Sequence, residues 1–196
     1  MTKKAVSPSA GMVGLLATSR GEELCRLRQV SSTAATIQIY SSLSPGESVR
    51  LDLADGTSLI ATVAARRDSL AELAIDTQAL GTAEVSVTKL PPRLPRLDVG
   101  LAAQLRIAGH NAPATLCNIS QGGARIRAAG LSVGLKVALL VGGLPPLVGR
   151  VRWMKDGSAG MSFYEPVPLD ILAPWSAALG ARVDEVGKVV KRGDAG

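Results

Sequence analysis

The sequence predicts an all-β chain in which one small domain occurs twice in tandem. Three observations carry this reading: an internal repeat, a period-two alternation of apolar residues, and turn signals between the alternating stretches. The repeat runs through four segments in order. Gln29-Val30-Ser31 lies over Asn118-Ile119-Ser120 at an offset of 89, and Ser44-Pro45-Gly46 over Ser132-Val133-Gly134 at 88. The run Val63 to Asp68 then lies over Val151 to Asp156, and Ala71 to Asp76 over Ala159 to Tyr164. Chance could supply any one of these. Four in order, with one single-residue slip, mark a duplicated domain.

The elements follow from the alternation. Val49, Leu51 and Leu53 alternate with Ser48, Arg50 and Asp52, as a half-buried strand requires. After a turn at Asp55-Gly56 the pattern resumes with Leu59, Ala61, Val63 and Ala65. In the second copy Val137, Leu139 and Val141 alternate, and Ile126 sits between outward Arg125 and Arg127. Further turns are marked by Ser19-Arg20-Gly21, Pro45-Gly46, Gly109-His110-Asn111, Gly142-Gly143 and Asp156-Gly157. Short strands with such turns predict a closed barrel or a sandwich. Helix is scarce. The one candidate follows Pro168, where Leu169, Ile171, Leu172, Trp175 and Leu179 share a face and Gly180 ends it. Pro174 inside this stretch predicts a kink or a split. The stiff Pro91-Pro92-Arg93-Leu94-Pro95 segment is the joint between copies. The expected domains are residues 1–88 and 89–180, with a loose polar tail over 181–196.

Composition narrows the function. Only five residues are aromatic, so the cores must be aliphatic and base-stacking platforms are few, which argues against a nucleic-acid binder. Residues 1–88 carry 8 basic and 9 acidic side chains, and residues 89–196 carry 14 and 7. An anionic partner would therefore meet the second half. No apolar run is long enough to span a membrane and no apolar segment follows the basic start, so the expected location is the cytoplasm. Cys25 and Cys117, far apart, read as reduced, buried small hydrophobes. One histidine, no metal-spaced cluster and no P-loop argue against an enzyme and against a bound cofactor.

The second copy opens with Arg93-Leu94-Pro95-Arg96-Leu97 and continues to Asn118-Ile119-Ser120-Gln121-Gly122-Gly123. This resembles the PilZ family, whose two-part signature is RxxxR followed by (D/N)xSxxG at a strand turn. Asn118, Ser120 and Gly123 fill the second part. In the first part, counting back from Arg96 reaches Pro92 where the family has arginine, and Arg93 stands one place later. Gly134, the Val151-Arg152-Trp153 stretch and Gly160-Met161-Ser162-Phe163 are also similar to the family's ending. The resemblance covers about residues 93–165, and residues 12–76 more faintly through the repeat. It implies two six-stranded antiparallel β-barrels in tandem with a short C-terminal helix. It also implies that cyclic di-GMP is bound by Arg93, Arg96, Asn118, Ser120 and Gly123. That ligand offers two phosphodiesters and two guanines, and arginine forks suit both. Closure of the arginine segment on the ligand would then change the angle between the domains and signal to a downstream protein partner.

In the first copy the motif reads Gln29-Val30-Ser31-Ser32-Thr33-Ala34, keeping only the serine, so no nucleotide is expected there. The competing reading is an adaptor that binds protein and no nucleotide, which Pro92 and the degenerate first copy favour. Other residues read blandly. His110 is an exposed turn residue, Trp153 is core or barrel rim, and Arg125, Arg127, Arg150 and Arg152 are solvated strand faces, one of which could reach a phosphate.

Overall fold

A computed structural model describes residues 11–77 and 94–191, with side chains as far as residue 180. Arg93, Pro92 and the rest of the predicted joint before Leu94 lie outside the described residues, as do residues 1–10 and 192–196. The chain divides into two compact units. One holds the first barrel together with the residues from Ser176 onward, and the other is Arg96–Trp175.

The first unit contains β1 (Val13–Thr18), β2 (Gly21–Val30), β3 (Ala34–Gln38), β4 (Ser48–Leu53), β5 (Ser58–Arg67) and β6 (Leu70–Ile75). They close into an antiparallel barrel in the order β1-β2-β3-β6-β5-β4. The second unit contains β7 (Leu97–Ile107), β8 (His110–Ser120), β9 (Gly123–Arg127), β10 (Lys136–Leu140), β11 (Leu147–Lys155) and β12 (Ser158–Phe163). These close in the same order, β7-β8-β9-β12-β11-β10. Closure removes the exposed strand edges that an open sheet of this length would carry.

The alternation explains which side chains fill each barrel. Val49, Leu51 and Leu53 are buried, and so are Leu59, Ala61 and Val63 on the neighbouring strand. In the second barrel Ile126, Val137, Leu139 and Val151 occupy the same kind of position. Arg125 and Arg127 flank Ile126 on the outside.

The repeat proves to be geometric as well as sequential. Gly46 N–H donates to Val63 O at 2.8 Å and Val63 N–H to Glu47 O at 2.9 Å; their counterparts are Gly134 to Val151 at 2.8 Å and Val151 to Leu135 at 3.0 Å. Gly46 and Gly134 have φ of 87° and 89°, open only cheaply to glycine. Bulges recur too. The β2–β3 register slips between Leu27 and Gln29, and the β8–β9 register between Leu116 and Asn118. The β5–β6 slip between Val63 and Ala65 reappears in β11–β12 between Val151 and Trp153.

The helix α1 spans Leu169–Lys191, passing through Pro174 and beyond the predicted stop at Gly180. A glycine ends a helix by taking a left-handed conformation, and Gly180 is not among the glycines with positive φ. Leu169, Leu172 and Trp175 are buried as predicted, but Ile171 is 40% exposed. At 100° per residue it falls away from the face that those three share. Trp175 Nε1 donates to Gly142 O at 2.9 Å, fixing the helix start to the loop after β10.

The two cysteines differ from each other. Cys25 is wholly buried, and burial, with the Glu23 carboxylate, pushes its thiol up to about 12, so it stays protonated. Cys117 is only half-buried because it occupies the bulge residue of β8.

Glu23 is an exception to the apolar interior. It pairs with Leu16, which pairs in turn with Leu51, and both leucines are core residues, so Glu23 points into the first barrel. The residue is 4% exposed; Ser41 Oγ donates to its Oε1 at 2.6 Å, and Oε2 has no partner. Burial holds its carboxyl above the usual carboxylate range, outweighing the Ser41 hydroxyl and the Arg20 guanidinium, which pull it down. A raised folded-state value means that the folded chain binds the proton more tightly than the unfolded chain does. This contribution is fully present below the unfolded value and is lost as pH rises through the folded one. Glu23→Gln should therefore raise stability at pH 8, by on the order of 1 kcal/mol, and leave it nearly unchanged at pH 4. Urea midpoints followed by circular dichroism check this, and an equal shift at both pH values would contradict it.

Candidate functional site

The motif residues lie on the outer face of the second barrel, where the strand order runs β7-β8-β9-β12-β11. Arg96 immediately precedes β7. The next residue, Leu97, is buried opposite Ile119, which fixes the backbone that carries Arg96. Arg96 Nη1 donates to Asn118 Oδ1 at 3.5 Å, and Asn118 Nδ2 donates to Asp98 Oδ1 at 3.2 Å. The amide of Asn118 thus stands between a guanidinium and a carboxylate and is oriented by both. Arg96 and Asn118, 22 residues apart in sequence, meet at an exposed surface.

Ser120 and Gly123 form the closing pair of the β8–β9 hairpin around Gln121-Gly122. Ser120 is 4% exposed, and its Oγ donates to Gly123 O at 3.3 Å. A hydroxyl has one proton, so here it is committed to holding the turn. Gly123 lies against β12 so closely that a Cβ would collide with Met161 O. After β12 the chain runs back along this turn: Val167 N–H donates to Gln121 O at 2.8 Å, and Gln121 Nε2 to Val167 O at 3.1 Å. Of the four described motif residues, Arg96 and Asn118 present polar groups outward, whereas Ser120 and Gly123 set the turn.

The same face extends to residues that the motif does not include. Strand register places Asp98, Asn118, Arg125, Gly160 and Trp153 in one outward row across five strands. The row beside it holds Ser120, Gly123, Ser162 and Arg150. Of the two positions expected for Trp153, core or barrel rim, its 44% exposure excludes the core, and its indole lies over Gly160, where any side chain would overlap it. Arg152 is the bulge residue beside it, so two consecutive side chains, Arg152 and Trp153, both face outward. Arg152 Nε donates to Ser162 Oγ at 2.6 Å. Sequence reading takes these arginines as solvated strand faces, one of which could reach a phosphate, without saying which, because alternation shows which side faces out but not which strands are neighbours. The repeat offset could have aligned them. His110, at the exposed start of β8, is far along the strand from this row.

Residues 92–172 match the sequence model of the PilZ domain family. Together with the Arg96–Asn118 pair on a closed six-stranded barrel, this decides the assignment. Residues 92–172 are a PilZ domain. No curated protein matches the chain. Among solved structures, Borreliella burgdorferi PlzA in complex with c-di-GMP is 10% identical, with 85% of this chain and 88% of that one covered at a TM-score of 0.38. The Bacillus subtilis inhibitor of motility, MotI/DgrA, is 16% identical over 92% and 99%, with a TM-score of 0.37. YcgR from Escherichia coli, in complex with c-di-GMP, is 10% identical over 93% and 84%, with a TM-score of 0.30.

The first barrel serves as an internal control for the PilZ domain. Its equivalent row reads Gln29, Thr36, Glu72 and Ala65, in place of Asn118, Arg125, Gly160 and Trp153. The turn is kept: Ser31 Oγ donates to Ala34 O at 3.1 Å, as Ser120 does to Gly123. The backbone is duplicated and the outward chemistry is not. At the position of Gly160, Glu72 adds a negative charge that an anionic ligand would meet. Among the described residues no three His, Cys, Asp or Glu side chains gather in a way that could hold a metal, and no helix is long and apolar enough to cross a membrane.

Proposed function

We propose that the chain is a cyclic di-GMP receptor that binds through its PilZ domain and acts as an effector rather than an enzyme. The observation that carries this reading is the Arg96–Asn118 pair, held on the outer face of a PilZ domain beside a hairpin that a buried serine and a side-chain-free glycine keep tight. Arginine binds phosphate oxygens bidentately and lies flat on purines. The Asn118 amide offers both a donor and an acceptor to a base edge. Arg93, just before the described residues, would add a second guanidinium from the linker side. The first barrel binds no nucleotide on this reading.

Because Arg93 and Arg96 adjoin the joint between the barrels, engaging them would bias the arrangement of the two domains and so signal to a protein partner in the cytoplasm. The adaptor alternative rests on Pro92 at the first arginine position. Calorimetric titration of the full chain with cyclic di-GMP, with GMP and cyclic AMP as controls, separates the two. Saturable heat with the cyclic dinucleotide alone is expected, and no heat favours the adaptor. Small-angle scattering at saturation should change relative to the free protein. An unchanged profile would contradict the switching role.

A further inference from the structure

The four adjacent strands β8, β9, β12 and β11 carry Arg125, Arg127, Arg150, Arg152 and Lys155 and not one aspartate or glutamate. Their counterparts in the first barrel carry Arg26, Arg28, Arg66 and Arg67 but mix them with the acidic Glu22 and Glu72 outside the barrel and Glu23 inside it. Two of these cations stand out by position. Arg125 pairs with Asn118 on one side and Gly160 on the other, so it adjoins the Arg96–Asn118 pair directly. Cross-strand neighbours of this kind have Cβ atoms about 4.5–5.5 Å apart, within reach of one small ligand. Among the described residues the Arg125 guanidinium makes no hydrogen bond or ion pair. Arg152 is thrown outward by the bulge and steadied through Nε by Ser162, which pairs with Gly123 of the turn. That bond leaves the terminal nitrogens of Arg152, four N–H groups, for a ligand.

The duplicated backbone isolates these side chains. At the same register positions the first barrel has Thr36 for Arg125, Ala64 for Arg152 and Ala74 for Ser162. The bulge that displays Arg152 is present in both barrels, but only the second uses it to project a cation. The sequence also lacks the first arginine of the linker motif, where Pro92 stands.

We propose that Arg125 and Arg152 form a second anion-binding point on the PilZ face, taking the phosphodiester that Arg93 and Arg96 do not hold. This rests on the cyclic di-GMP reading and assigns to that site two residues outside its motif. Ser162 acts as a positioning residue for Arg152. The site then grips a two-phosphate ligand from both sides, by Arg96 at the linker and by Arg125 and Arg152 on the sheet, and should select against mononucleotides.

The test is calorimetry on full-length Arg125→Gln, Arg152→Gln and Ser162→Ala, with Arg127→Gln as the control. Arg127 is exposed on the same strand one turn of the pleat away, and its Nε donates to Ser158 Oγ at 3.4 Å. Circular dichroism confirms that each variant is folded. Arg125→Gln and Arg152→Gln should each weaken cyclic di-GMP binding about 10-fold or more, with the loss shrinking as salt is raised. Arg152→Lys should not restore the parent affinity, because a lysine lacks the fork. Ser162→Ala should cost less than Arg152→Gln and nothing further when Arg152 is already glutamine. If the parent binds and both arginine variants bind as it does, or no worse than Arg127→Gln, this proposal is overturned while the receptor reading stands. If the parent itself does not bind, the receptor reading fails first.

Discussion

Replacing Gly123 by alanine is expected to destabilise the second barrel by about 2–3 kcal/mol. The added Cβ would be driven into the carbonyl oxygen of Met161. That oxygen belongs to the backbone of β12, and Met161 is held in register against Ala124 on β9, so it cannot swing aside as a flexible side chain could. The strain would fall on the β9–β12 pairing that supports the turn and, through it, on Asn118 and Ser120. The measurement is direct because both tryptophans, Trp153 and Trp175, lie in the second unit. Urea unfolding followed by tryptophan fluorescence therefore reports that barrel. At the equivalent position of the first barrel, alanine is already present and exposed as Ala34. An unchanged fluorescence midpoint for Gly123→Ala would show that the close approach to Met161 is not a real constraint.

Arg96→Ala should weaken cyclic di-GMP binding by about 10- to 150-fold, the range for losing a charge-assisted hydrogen bond of about 1.5–3 kcal/mol. Three features place the largest loss here. Its backbone is pinned by the burial of Leu97, its guanidinium already reaches Asn118, and it fills the last arginine position of the motif. Removing it also frees the Asn118 amide from one of its two orienting partners. Ser120→Ala should cost less, because the hydroxyl spends its proton on Gly123 O and acts on the ligand only through the turn. Calorimetry on folded variants gives both numbers. Parent-like affinity in Arg96→Ala would remove the centre of the proposed site.

How much of this could be read in the sequence depends on whether the information is local. The strands Ser48–Leu53 and Ser58–Arg67, the turn at Asp55-Gly56 and the duplication were legible, because period-two burial and glycine turns leave their mark residue by residue. Barrel rather than sandwich did not follow from the alternation, since closure depends on β1 meeting β4 and β7 meeting β10; it came from the resemblance to the PilZ family, and the two closed barrels bear it out. The helix end was misplaced at Gly180 because a glycine that keeps helical torsions looks the same in sequence as one that caps. Asn118 and Arg96 were visible as motif residues, and the structure adds that they touch. Arg125 and Arg152 were legible only as two of four strand-face arginines, one of which could reach a phosphate, and Trp153 only as core or rim, because their neighbourhood is created by the β9–β12–β11 order and by a one-residue bulge. Glu23 was likewise silent in sequence: a glutamate in a short strand reads as outward until the register with Leu16 shows otherwise.

The central claim is that two barrels of the same backbone differ in function because their outward rows differ. Amide chemical shifts of the full-length protein, recorded by NMR during titration with cyclic di-GMP, test it residue by residue. Shifts are expected at Arg96, Asn118, Gly123, Arg125 and Arg152, with the equivalent Gln29, Ala34, Thr36 and Ala64 unmoved. Shifts centred on the Gln29–Thr36 row, or none in the second barrel at saturating ligand, would contradict it.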